Sequence, residues 1–226
     1  MSGFLLRADD VLRRRHWTTR SDQPWMAIGN LIAYIALFGA IYGGVMGTFG
    51  VWVGQERWPL QVAYSAMKVP LLLLTTFAVS LPSFFVFNTL LGLRRHFLQA
   101  VRALVAAQAG LAIILASIAP FTVLWYVSSY DYAQAVLFNA FMFAGASLTA
   151  QWLLRGYYRP LLAGSAKHRW LLWTWICVYA FIGIQMGWIM RPFVGSPGAD
   201  VQFFREDAWD NAYVRVARVI WAALSP

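Results

Sequence analysis

Charged residues are absent from five long stretches of this chain. Each stretch is dominated by apolar side chains, and they cover residues 24–55, 69–93, 103–130, 132–154 and 170–190. A helix needs about 20 consecutive apolar residues to cross the hydrocarbon core of a bilayer. One such run fits a buried helix of a soluble protein, but five runs covering most of 226 residues do not. The pattern predicts an all-α, polytopic membrane protein built as a five-transmembrane-helix bundle.

The polar segments between these runs set the predicted domain limits. We expect a five-helix transmembrane domain over residues 26–191, with spans at about 27–52, 69–93, 103–126, 132–154 and 170–190. Residues 1–25 form a basic segment in which Leu5, Ala8 and Leu12 recur at helical spacing, which predicts a short interfacial amphipathic helix.

Residues 192–226 form the second flanking segment, a turn-rich loop followed by another amphipathic helix. This helix is too short and too charged to span, so we expect it to lie on the outer surface, against lipid or a partner protein. One face of this helix is apolar and carries Trp209, Tyr213, Val216, Ile220 and Leu224. The predicted docking residues are Trp209, Tyr213, Ile220 and Trp221.

Charge supports the membrane interpretation and sets a direction. Only 12% of residues are charged, about half the share in a soluble domain of this size, and the net charge is +9. Arginine and lysine concentrate in alternate loops, which predicts a cytoplasmic N-terminus and an outside C-terminus. The residues expected to contact anionic headgroups are Arg13, Arg14, Arg15, Arg94, Arg95, Arg155, Arg159 and Arg169. No groove-reading motif accompanies the basic charge, so no nucleic-acid partner is expected.

Glycines mark the predicted packing faces. Gly39, Gly43 and Gly47 recur at every fourth position of the first span, and Gly183 and Gly187 repeat the spacing on the last. Helices in lipid associate where small residues let their backbones approach closely. Because the predicted first and fifth spans run in the same direction, we expect them to touch through these two glycine faces.

The second span is the most distinctive. Pro82 removes a backbone hydrogen bond and predicts a kink or hinge, and Pro120 has the same effect on the third span. Lys68 lies at the predicted outer end, where its long side chain can reach the headgroups. Asn88 places an amide at membrane depth and should find a partner inside the bundle. The candidate partners are Asn139, Gln151 and Gln185.

Residues that usually carry chemistry lie outside the spans. None of the nine acidic residues falls inside a span, which argues against proton relays and ion-coupled transport. His16, His96 and His168 each adjoin arginine or lysine near a predicted interface, which favours contact with headgroups over a shared zinc site. Catalytic motifs are missing. We therefore expect no enzymatic activity, no cofactor and no metal.

Three segments resemble a known family. The segments KVPLLLL, LPSFFVFNTLLG and GWIMRPFVGSP, together with five spans and a basic cytoplasmic N-terminus, are similar to bacterial YIP-like proteins. The YIP family comprises five-span membrane proteins named for interaction with Ypt/Rab GTPases, and its bacterial relatives have no assigned role. The resemblance implies a five-span fold without catalytic residues, and the eukaryotic trafficking role does not transfer to a bacterial membrane.

Two functional classes follow. The first is a non-enzymatic scaffold or accessory subunit of a larger membrane complex, with anionic lipids and unidentified proteins as partners. The alternative is a small transporter or channel subunit, in which Pro82 is a hinge and Asn88 lines a path with the glycine face.

Overall fold

All regular secondary structure in the described part of the chain is helical. The computed structural model describes residues 2–15, 17–18, 23–163, 166–196, 198–205, 208 and 212–214. The helices are α1 (Ser2–Leu12), α2 (Pro24–Gly47), α3 (Phe49–Trp52), α4 (Trp58–Leu90), α5 (Phe97–Ser128), α6 (Tyr132–Leu162) and α7 (Ala166–Ile189). Within the described residues there is no strand, and five helical stretches are long and apolar enough to cross a membrane.

Helix limits differ from the predicted spans because the helices continue beyond their apolar runs. The second long helix, α4, begins at Trp58 with a proline in its first turn, eleven residues before the predicted start at Val69. It ends at Leu90, since Gly92 adopts a left-handed backbone (φ 72°) that cannot continue the helix. Helix α6 also continues beyond its predicted span, to Leu162.

The centre of the bundle is α5. Of its most apolar stretch, 67% is buried, against 22% for α6 and 11% for α7. The buried face is rich in alanine, including Ala103, Ala106 and Ala109. Side chains this small let α2 and α6 pack closely on either side of α5.

The glycine face of α2 packs against α4. A Cβ at Gly43 would overlap the carbonyl oxygen of Ser65, and one at Gly47 would lie 2.6 Å from the Cα of Val62. A Cβ at Gly39 would lie 3.2 Å from the backbone nitrogen of Pro70. The two helices are antiparallel neighbours, so their backbones meet along a continuous seam.

The predicted contact between the first and last spans is therefore wrong. A Cβ at Gly183 would make an ordinary contact with Thr76, at 3.5 Å from its Cγ2. No described atom lies within 4 Å of a Cβ placed at Gly187. Gly43 and Gly47 are already covered by α4, the next long helix in the chain, which leaves them no free face for α7.

The two remaining helices attach to different neighbours. Helix α6 packs on α5 and α7 packs on α4, while α6 and α7 scarcely touch each other although they are consecutive. This arrangement leaves a gap along one side of the bundle.

The N-terminal helix docks on one end of this bundle. Ala8 and Val11 of α1 are buried, and the Tyr157 hydroxyl of α6 donates a hydrogen bond to the carbonyl of Val11. Leu5, predicted to face the membrane interface together with Ala8, is exposed. We call this end, where α2, α5 and α7 begin, the basic end, and the opposite end the distal end.

Candidate functional site

A large cavity occupies the gap between α6 and α7. Its volume is about 1070 Å³, at the upper limit of the roughly 300–1,000 Å³ typical of ligand pockets. Apolar residues of the neighbouring helices form its back wall: Leu72 and Leu73 of α4, and Leu104 and Leu111 of α5. The cavity is therefore a mostly apolar chamber between helices that are long and apolar enough to cross a membrane.

The cavity is elongated along the bundle axis. On α6 its lining runs from Tyr132 to Leu154, which at 1.5 Å per residue is about 33 Å. On the facing helix α7 the lining begins at Trp175 and continues past Gly187. Its length therefore approaches the hydrocarbon thickness of a bilayer, ~30 Å.

Small side chains on both facing helices create this space. The α6 wall carries Ala140, Ala144, Ser147 and Ala150, spaced three or four residues apart, and the α7 wall carries Ala180, Gly183 and Gly187. Such residues permit close backbone approach when two helices meet. Here α6 and α7 remain apart, so the same residues leave an open chamber.

An amide inside the cavity ties α6 to the packed part of the bundle. Asn139 Nδ2 donates to the hydroxyl of Tyr126 at 2.6 Å and to the carbonyl of Ala135 at 2.8 Å, and the Tyr42 hydroxyl donates to Asn139 Oδ1 at 3.3 Å. All the side-chain partners are buried, where hydrogen bonds are strong and costly to lose. The network fixes the position of α6 relative to α2 and α5.

Two other polar groups of the lining have no such partner. Thr76 Oγ1 and Gln151 Oε1 are buried and form no hydrogen bond with the residues that the structure describes. A buried polar atom without a partner costs roughly 1–3 kcal/mol.

At the distal end, a polar face of α4 holds the segment after α7. Gln61, Ser65 and Lys68 lie on successive turns of α4, and all three are buried. Gln61 Nε2 and Ser65 Oγ donate to the carbonyl of Phe193 at 3.1 and 2.5 Å. Lys68 Nζ donates to the carbonyl of Pro192 at 2.7 Å. These bonds fix residues 192 and 193 over the end of the cavity.

The position of Lys68 corrects the sequence prediction that it reaches the headgroups. Its side chain is 0% exposed, and its ammonium also lies 3.5 Å from the carbonyl of Gln202 and 5.0 Å from the ring centre of Phe203. Because α4 begins at Trp58, Lys68 lies about 15 Å inside the helix rather than at its end. A buried charge is tolerated only when it is hydrogen-bonded, and here the folded-back segment supplies the acceptors.

Two arginines line the cavity at this same end. Arg205 Nη2 donates to Ser196 Oγ at 2.8 Å, and Ser196 in turn donates to the Tyr132 hydroxyl of α6 at 2.9 Å. The guanidinium of Arg191 lies 3.3 Å from the ring centre of Trp188. The distal end of an otherwise apolar cavity is therefore cationic.

The predicted hinge residues lie away from the cavity. Helix α4 passes through Pro82 and α5 through Pro120 without interruption, and both prolines are exposed. Neither they nor Asn88 line the cavity. The path that we predicted along Pro82, Asn88 and the glycine face is not supported, because the glycines are closed against α4.

The predicted partners of Asn88 are also wrong. Its side chain is fully buried, and neither amide atom forms a hydrogen bond with a described residue. Asn139 is bound to the tyrosines, and Gln185 Oε1 accepts the backbone N–H of Ala212 at 3.0 Å. The candidates Asn139 and Gln151 lie on α6 and Gln185 lies on α7, whereas Asn88 lies on α4.

The predicted lipid-contacting arginines are exposed. Six of the eight lie in or beside the long helices at the basic end: Arg94, Arg95, Arg155, Arg159, Arg169 and, just after α1, Arg14. Arg13 and Arg15 are also exposed, and they pair with Asp9 at 2.6 Å and Asp10 at 3.8 Å. Some of the predicted positive charge is therefore already neutralised within the chain.

His16 lies outside the described residues, and among the described ones no group of three potential metal ligands is close enough to hold an ion. His168 is buried rather than facing headgroups, and its ring lies 5.4 Å from that of the exposed His96. The interface interpretation of His168 is wrong, because its side chain is buried inside the bundle, with its ring centre 6.0 Å from that of Tyr158.

The predicted C-terminal docking face is only partly described. Tyr213 stacks on Phe181 of α7, with ring centres 4.5 Å apart, and its hydroxyl donates to the carbonyl of Phe181 at 2.5 Å. This residue therefore contacts its own chain. Trp209, Ile220 and Trp221 lie outside the described residues.

Sequence reasoning missed the cavity and its cationic end. Two signals were available: the small residues spaced along α6 from Ala140 to Ala150, and the polar Gln61, Ser65 and Lys68 on one helical face. Neither signal identifies the opposing surface, which depends on how distant segments meet.

Comparisons with known proteins do not assign this chain to a family. A scan of protein-family models, a search of curated proteins and a search of solved structures each found no match. The resemblance to YIP-like proteins therefore stays a prediction.

Proposed function

We propose that this chain is a non-enzymatic integral membrane protein that holds a long-chain, lipid-like molecule in the cavity between α6 and α7. In this role it serves as a lipid-handling accessory subunit of a larger membrane assembly. The proposal depends on one observation, the elongated apolar cavity of about 1070 Å³.

The shape of the cavity favours a chain over a compact ligand. A slot about 33 Å long, measured by the α6 lining residues, suits an extended acyl or isoprenoid chain. Its two side walls belong to the least buried long helices, so the cavity lies at the edge of the bundle, beside the lipid of a surrounding bilayer. A lipid could enter sideways between α6 and α7 without crossing the packed core.

The open gap distinguishes this role from that of a scaffold alone. The small residues of α6 and α7 would allow these helices to close on each other, as α2 and α4 do. A purely structural bundle would bury more surface by closing. The cavity also favours lipid handling over the path at Pro82, which lies elsewhere on α4.

The membrane setting of the proposal follows from composition and charge. The exposed arginines at the basic end suit the cytoplasmic face of a bacterial inner membrane, where each can gain about 1 kcal/mol near anionic headgroups. The N-terminus is then cytoplasmic and the distal end lies outside. Protein partners in the assembly remain a prediction.

A pair of glycine substitutions tests this function. Gly187→Trp places a large ring in the cavity, and Gly145→Trp is its control, since Gly145 is exposed on α6, does not line the cavity and has equal free space. Native mass spectrometry of protein purified in mild detergent should show bound lipid in the wild type and the control, and none in Gly187→Trp. Equal lipid retention by both variants would refute the proposal.

A further inference from the structure

Charge is distributed unevenly along the cavity. Of the described residues that line it, the charged ones are Arg191 and Arg205, and both lie at the distal end. From Val136 to Leu154 on α6 the wall is apolar or neutral. An occupant therefore meets two guanidinium groups at one end and an uncharged, mostly apolar surface along the rest.

We propose that the cavity binds an anionic amphiphile in one orientation, with a phosphate or carboxylate head between Arg191 and Arg205 and its chain along α6 and α7. This inference rests on the proposed function and adds the charge of the ligand and its direction. The headgroup then lies at the distal end, opposite the basic end of the bundle.

The guanidinium of Arg205 is positioned for this contact. Ser196 accepts one of its N–H groups at 2.8 Å and is itself held by Tyr132 at 2.9 Å. A guanidinium carries five N–H donors in a planar fork that matches the two oxygens of a phosphate or carboxylate. Both Arg205 and Tyr132 line the cavity, so this anchored side chain lies at its wall.

Arg191 is positioned differently. Its guanidinium stacks on Trp188, one turn back in the chain, with 3.3 Å between the guanidinium carbon and the ring centre. Stacking fixes the plane of the group, and Arg191 also lines the distal end of the cavity. The adjoining Pro192 is held by Lys68, so the backbone beside Arg191 is anchored to α4.

The surrounding charges favour an anion. The Lys68 ammonium is bound to carbonyl oxygens of the same segment and adds positive potential near the distal end. The described acidic residues of this end do not line the cavity: Asp131 caps α6 by accepting the N–H of Gln134 at 3.0 Å, and Glu56 and Asp200 are exposed. The head of a choline lipid carries a cation beside its phosphate and has no net charge, whereas a head with net negative charge would pair with the two arginines without that repulsion.

Competition between lipids of equal chain length tests the inference. Full-length protein in mild non-ionic detergent is incubated with dioleoyl phosphatidylglycerol, dioleoyl phosphatidylcholine or oleate, and bound species are counted by native mass spectrometry. We expect an anionic probe to bind about tenfold or more tightly than the choline lipid, because the cation of the choline head offsets the attraction between its phosphate and the two guanidinium groups. Whether phosphatidylglycerol or oleate is preferred distinguishes a phospholipid from a free fatty acid.

Substitutions of the arginines remove the contacts to the lipid headgroup and leave the part of the cavity that would hold the acyl chain open. Arg191→Gln/Arg205→Gln should lose the preference for the anionic probe and bind the anionic and choline lipids about equally. Arg57→Gln removes an exposed arginine at the same end, outside the cavity, and should keep the preference. If the double variant aggregates, the single variant Arg205→Gln replaces it, since it leaves the stacking of Arg191 on Trp188 in place. Arg205→Gln alone should reduce the preference for the anionic probe.

The outcomes separate the two proposals. Failure of every probe to bind the wild type would overturn the proposed lipid-binding function. Binding without preference for an anion, or a preference that survives the loss of Arg205 and Arg191, would overturn the inference about the headgroup and leave the lipid-binding function standing.

Discussion

The two sides of the bundle use the same kind of residue for opposite results. Where α2 meets α4, glycines bring the backbones into contact along a seam from Gly39 to Gly47. Where α6 faces α7, alanines and glycines line an open cavity. A small-residue pattern therefore shows where two helices are able to approach, and it does not show that they do.

Aromatic contacts explain why the second pair stays open. Helix α6 is fixed to α5 by Asn139 and by Phe138 stacked on Trp125, with ring centres 4.6 Å apart. Helix α7 is fixed to α4 by Trp175, whose ring lies 5.1 Å from Phe84 and 5.8 Å from Phe77. Each helix is anchored to its own neighbour, so neither is free to close the gap.

Replacing a glycine by leucine is expected to give the largest difference in stability between the two sides of the bundle. Gly43→Leu would drive a side chain into the backbone of α4 at Ser65 and should cost more than about 3 kcal/mol, enough to prevent folding. Gly187→Leu projects into open space and should leave the melting temperature in detergent nearly unchanged. Similar losses for both variants would show that α6 and α7 also pack tightly.

The next largest effect is expected at the distal segment that closes the cavity. Lys68→Met leaves the carbonyls of Pro192 and Gln202 without their donor, at a cost of about 1–3 kcal/mol. Lys167→Met, which removes an exposed ammonium bound to the Leu91 carbonyl at 3.3 Å, is the matched control and should cost less.

Accessibility provides the readout for Lys68. With Cys177 replaced by serine and cysteine placed at Val194, which is buried in the segment after α7, maleimide labelling should be faster in Lys68→Met than in Lys167→Met or the parent. Equal labelling rates would show that Lys68 does not hold residues 192–202 in place.

The smallest effects are expected for two buried amides. Asn139→Leu breaks the bonds to Tyr42 and Tyr126 and should destabilise the protein by ~1–2 kcal/mol, seen as a lower melting temperature. Asn88→Leu replaces an amide without a described partner by an apolar side chain of similar size, and should be neutral or stabilising. A clear loss of stability in Asn88→Leu would reveal a hydrogen bond that stabilises the amide.

Part of the candidate site was readable from local pattern. The polar residues Gln61, Ser65 and Lys68 and the small residues of α6 lie at helical spacing, so each shared face was available in advance. The partners were not, because Lys68 binds carbonyls 124 and 134 residues further along the chain. In the sequence, Arg191 and Arg205 likewise resemble ordinary charges beside a span. Only the folded segment, which lies over α4, brings them to the cavity.

The amino-acid sequence by itself determined that the described chain is helical and that five of its helices are apolar enough for a bilayer. These properties are local, since apolar length and helix-ending residues such as Gly92 act within a few turns. Only the tertiary structure decided that Gly43 meets α4 instead of α7, and that α6 and α7 stay apart around a cavity. Several helices offered equally small faces, and the choice among them depended on contacts that the whole bundle makes at once.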